Sequence, residues 1–110
     1  KQPLPAIASI LHRVSGAALF LMLPFLIWLL QLSIESPQSF EVFRAVAGHP
    51  LAKLVLTGLL WAFLHHFCMG IRILLLDLDM GTDLKAARAS TKAVLAISLA
   101  LTAILGVKLW

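Results

Sequence analysis

The chain has 110 residues, of which 61% are hydrophobic and 13% charged, with a net charge of +4 and one cysteine. A water-soluble domain carries roughly 25% charge and an apolar share of about half or less, and a fold of this size has no core large enough for so much apolar surface, so the composition predicts an integral membrane protein. It also excludes an internal disulfide and argues against a nucleic-acid binder, because the few basic residues sit at the ends of apolar runs, as membrane topology demands.

The length allows a single domain, 1–110. Lys1 to Pro5 is a polar, proline-punctuated lead-in, kept extended because residues before proline avoid the α region. The chain opens without methionine, so a short preceding piece is expected. No cleavable signal is expected, since the first apolar run is too long and follows a polar His-Arg pair rather than a basic lead segment. The first predicted membrane helix covers about 6–33, long enough to cross a hydrocarbon layer of roughly 30 Å. Pro24 falls in mid-span, where a kink is expected, and Trp28 is placed to anchor the far interface.

The first connection carries its own pattern. Ser36-Pro37 reads as a helix cap followed by a first helical residue. Phe40, Phe43, Val46 and Ala47 recur at helical spacing, and Gly48 closes the run. These predict a short interfacial helix near 37–47; an ordered loop with incidental periodicity is the competing reading.

The second span is predicted at about 50–79, longer than the hydrocarbon core requires, so its end should protrude or tilt. Asp77, Asp79 and Asp83 mark the water boundary there, with Gly81 as the expected helix stop. The third span is predicted at about 84–109, with Lys85, Arg88 and Lys92 in its first turns and Lys108 and Trp110 at the far interface. Lys1, Arg13, Arg72, Lys85, Arg88 and Lys92 thus gather at one end, against Arg44, Lys53 and Lys108 at the other. This bias predicts a cytoplasmic N-terminus. The predicted fold is all-α, three transmembrane helices and one short interfacial helix.

Within the second span, AFLHHFCMGIRILLLDLD holds two histidines and an arginine in an apolar run, where polar groups are costly and usually have a partner or a task. At about 100° per residue, His66, Gly70, Ile73 and Asp77 share a face, and His65 points about 100° away, so the two histidines cannot grip one metal from one helix. A histidine one turn before a glycine places a ligand beside a flat gap, which suits a haem iron and its planar ring. A helix-to-helix hydrogen bond at His66, with Gly70 serving only helix packing, is the alternative. Cys68 lies about 160° from His66 and reads as a small packing residue.

The first span begins SILHRVSG. Ser9, His12, Arg13 and Gly16 stand at i, i+3, i+4 and i+7, one polar stripe on a greasy helix, at the membrane level that His66 and Arg72 approach. Arg13 can snorkel to phosphates and Ser9 can cap the helix. Equally, a hydroxyl and a guanidinium there can bind an oxygen of a lipid-soluble head group or a carboxylate.

SILHRVSG, followed some fifty residues later by HHFCMGIRILLLD, closely resembles the cytochrome b membrane-anchor subunits of bacterial succinate dehydrogenase, respiratory complex II, whose patterns are S-x-x-H-R-x-S-G and H-x-x-x-G-x-R-H. The resemblance covers essentially the whole chain. It implies that His66 is one axial ligand of a haem b in the inner membrane, with Gly70 beside it. The other axial histidine would come from a second anchor subunit in a heteromeric helix bundle. It further implies that Ser9 and Arg13 line a ubiquinone pocket next to the iron–sulfur subunit, that His12 and Arg13 lie near the haem propionates, and that Asp77 helps deliver protons to the quinone. FAD and the iron–sulfur clusters would reside on partner subunits, for this chain has no G-x-G-x-x-G and one cysteine. The chain departs from the family at Ile73, where a histidine often stands; Arg72 or a basic group of the partner subunit is the candidate replacement. A quinol:fumarate reductase anchor and a haem-free scaffold for soluble partners are the alternatives. Three spans cannot form the inverted repeats common among transporters.

Overall fold

A computed structural model describes residues 3–110, and all regular structure among them is helical: α1 (Leu4–Glu35), α2 (Pro37–Ala47), α3 (Pro50–Asp77) and α4 (Leu84–Gly106). Three of these, α1, α3 and α4, are long and apolar enough to cross a membrane. The expected spans hold, with ends that differ by a few residues. α1 runs unbroken through Pro24.

The helix ends follow local chemistry. Ser36 and Ser39 form a reciprocal capping box at the start of α2, with Pro37 in its first turn, so the sequence signal there is realised as a helix and not a loop. His49 caps α3 by accepting from the Leu51 amide at 3.1 Å, and the Asp83 carboxylate caps α4 by accepting from the Ala86 amide at 3.2 Å. α3 stops earlier than Gly81. The Asp79 amide donates to the Leu76 carbonyl at 2.9 Å and the Met80 amide to the Leu75 carbonyl at 3.0 Å, with Asp79 itself left-handed at φ 58°. This is the double closure of a Schellman turn, with an aspartate where glycine is usual. Gly81, at φ 69°, is a second left-handed residue in the loop beyond.

α3 is the middle helix, packed on α1 and α4, while α1 and α4 touch each other less. The starts of α1 and α4 lie with the end of α3; at the opposite end Trp110 Nε1 donates to Thr57 Oγ1 at 3.0 Å and Lys53 sits 5.5 Å above the Trp110 ring. The buried core is small, centred on Ala8, Met69 and Val94. Only 6% of the most apolar stretch of α1 is buried, against 22% for α3 and α4. Phe20, Leu21, Ile34, Leu74 and Ile104 are all exposed, surface that lipid or other helices must cover.

Candidate functional site

Where α3 crosses α1, the imidazole of His66 meets the first turns of α1. Its Nδ1 lies 3.1 Å from the His12 carbonyl oxygen and 3.3 Å from Ser15 Oγ, and Ser15 Oγ itself donates to that carbonyl at 2.9 Å. A carbonyl oxygen can only accept, so this contact requires the proton on Nδ1. Nε2 is then the nitrogen with the lone pair, and it has no hydrogen-bond partner among the described residues. Metal-ligating histidines are commonly set in this way, one nitrogen tied to a carbonyl and the other left to the metal.

Packing fixes the ring as firmly as the hydrogen bonds do. The His12 and His66 rings are stacked, centroids 4.2 Å apart and 9° from parallel. A Cβ on Gly16 would stand 2.8 Å from His66 Cε1, so the glycine is what lets the imidazole lie against the α1 backbone. On the other flank, a Cβ on Gly70 would meet nothing within 4 Å. The flank beside Gly70, where the sequence predicts a flat gap, is open space, and the close approach of the two helices falls at Gly16.

These residues fit a haem edge. An oriented imidazole with a free Nε2, an open flank one turn along the helix, and a buried His12 Nδ1 with no hydrogen-bond partner among the described residues are what a planar iron ligand with polar side arms would use. Among the described residues no three His, Cys, Asp or Glu side chains gather closely enough to hold a metal ion.

The other expected residues are distributed around this point. Ser9 is half-buried and Arg13 exposed on the same turns of α1, and Asp77 is exposed as the last residue of α3, at that same end of the bundle. Arg72 takes a different direction. It is directed at α4, donating from Nε to Ser90 Oγ at 2.8 Å and from Nη2 to the Ala87 carbonyl at 3.3 Å. His65 is fully buried beside Trp61, ring centroids 5.0 Å apart, with neither nitrogen hydrogen-bonded among the described residues. Ser15 was missed by sequence reasoning, although it adjoins Gly16 in the same motif; only the helix crossing shows that its hydroxyl reaches His66.

The family described as succinate dehydrogenase/fumarate reductase transmembrane subunit matches residues 1–105. Among curated proteins, the chain is similar to the succinate dehydrogenase cytochrome b556 subunit of Paracoccus denitrificans, 34% identical over 99 residues, covering 90% of this chain and 76% of the relative. The corresponding subunit of Rickettsia typhi is 32% identical over 107 residues, 97% of this chain and 83% of the relative. That of Coxiella burnetii is 34% identical over 109 residues, 98% and 87%. With three membrane-length helices and a family match over nearly its whole length, the chain belongs to the succinate dehydrogenase/fumarate reductase transmembrane subunits.

Proposed function

We propose that this chain is a single-domain membrane anchor, residues 1–110, of a bacterial succinate:quinone oxidoreductase, and that it supplies one axial ligand of a haem b and part of the ubiquinone site. The observation that carries the reading is the arrangement at His66, with Nδ1 held by the His12 carbonyl at 3.1 Å and Nε2 left without a partner among the described residues. The sister ligand would come from a second anchor subunit, which would also cover part of the bare surface of α1. The names of the similar proteins, succinate dehydrogenase cytochrome b556 subunits, favour succinate oxidation over the fumarate-reducing direction and a haem-bearing anchor over a haem-free one.

When bound, the haem would supply one-electron storage between the iron–sulfur subunit and quinone. The work of this chain is positional and electrostatic. His66 would hold the haem iron through Nε2, Gly16 lets that ring lie flat, and Ser15 and the His12 carbonyl keep its proton on Nδ1. His12 and Arg13 would hold the haem propionates, Arg13 as the charged partner. Ser9 donates a hydrogen bond to a quinone oxygen, and Arg13 balances the negative charge that develops as quinone is reduced. Asp77, at the water boundary, passes protons inward. This end of the bundle is cytoplasmic, given the excess of lysine and arginine there, and the membrane is the inner one.

Replacing His66 by leucine tests the assignment. The purified complex should lose or strongly alter the reduced α and Soret bands of its b haem, and an unchanged spectrum would refute the ligand role.

A further inference from the structure

Between α3 and α4 lies a slot of about 400 Å³, on a different face of α3 from His66. Its walls are almost wholly apolar, with Cys68, Ile71, Val94 and Ile97 in the deeper part and Leu75, Met80 and Gly81 toward the loop. The polar groups among its lining side chains are Arg72 and Ser90. Arg72 is 8% exposed and its two hydrogen bonds, to Ser90 Oγ and the Ala87 carbonyl, go to neutral groups. The ion pair found among the described residues is Arg44 with Glu41, elsewhere in the chain. Of the acidic groups at this end, Asp83 is occupied in capping α4 and Asp77 and Asp79 are exposed, neither within ion-pair distance of Arg72. A buried cation without a counter-charge is costly, and such groups are found paired.

From this we infer that the slot binds an anionic phospholipid, its phosphate paired with the Arg72 guanidinium and one acyl chain laid along the apolar walls. Depth favours this occupant. Arg72 lies five residues before the end of α3, about 7.5 Å along the axis, within reach of the phosphate layer for a side chain of this length. The α3 wall from Cys68 to Leu76 spans about 12 Å of helix axis, room for the upper part of an acyl chain. A quinone tail or an apolar partner helix would fill the same space and leave the charge uncompensated. Lys85, Arg88 and Lys92, all exposed on the first turns of α4, add to the positive field at this end, and each basic residue near an anionic surface adds about 1 kcal/mol of attraction.

The test uses the whole complex, reconstituted into nanodiscs of phosphatidylcholine with or without phosphatidylglycerol, and reads both retained lipid by native mass spectrometry and thermal stability. The intact complex should retain phosphatidylglycerol and be stabilised by it. Arg72→Gln should reduce that preference about five-fold, the loss expected for one basic residue, and Arg72→Lys should restore most of it. Ile97→Trp, which fills the slot while leaving Arg72 in place, should lower retention of the lipid; it decides the matter if the glutamine variant does not assemble. Retention unchanged in Arg72→Gln or in Ile97→Trp overturns the inference, as does density in the assembled complex showing a partner carboxylate on Arg72. The b-haem spectrum of these variants should match that of the unaltered complex, so failure of the lipid site is distinguishable from failure of the haem assignment.

Discussion

Substituting Gly16 by alanine adds one methyl group at the point where α1 receives the His66 ring. That carbon would lie 2.8 Å from Cε1 and 3.3 Å from Nδ1, while ordinary carbon–carbon contact begins near 3.5 Å, so the ring has to retreat by about 0.7 Å. Overpacking of this kind costs about 1–3 kcal/mol. The retreat also stretches the 3.1 Å contact to the His12 carbonyl, and a hydrogen bond of this sort contributes about 0.5–1.5 kcal/mol. Gly58 is the control, because a Cβ there meets nothing within 4 Å and alanine in a helix interior is favoured over glycine by about 0.5–1 kcal/mol. The assay is the optical spectrum and midpoint potential of the b haem in the purified complex, together with its thermal stability. Gly16→Ala should shift the potential, broaden the spectrum and lower the stability, and Gly58→Ala should do none of these. If the two variants behave alike, His66 does not depend on Gly16 and the derived site geometry is wrong.

Neutralising Arg13, as Arg13→Gln, should depress quinone reduction by the complex while succinate oxidation by a soluble artificial acceptor stays near its usual rate; equal loss of both would point to failed assembly instead of a quinone-site role. Asp79 occupies a left-handed position at φ 58°, so Asp79→Val should destabilise the turn by about 1–2 kcal/mol. Asp79→Gly should leave it as stable or slightly more so, measured as the melting temperature of the complex; equal melting of the two variants would refute the assigned strain.

The three spans and the short helix were legible because each is a local signal: apolar length for the spans, Ser36-Pro37 and the aromatic spacing for α2. The histidine face of α3 and the polar stripe of α1 were legible separately. Their meeting was not, because neither helix's own period records the crossing at which Gly16 receives His66 and Ser15 reaches Nδ1. The gap at Gly70 is written in the spacing of α3 alone, whereas the contact at Gly16 needs both helices. Arg72 sits about one and two-thirds turns from His66 and shares its depth, but the helix phase turns it by about 120° onto α4. α3 stops ahead of Gly81, where a glycine signal places the end, because Asp79 takes the first of the two left-handed positions in the D-L-D-M-G run.

The thin engagement of α1 bears on how the protein is made. A helix that buries 6% of its most apolar stretch against its own chain gains little from intramolecular folding, and in a bilayer its remaining face meets lipid or gains from close side-chain packing with other helices. The site at His66 is built on that same helix. On the proposed pairing with a second anchor, newly inserted copies reach their finished geometry on joining it, and a cell producing this subunit in excess should accumulate immature, readily degraded copies.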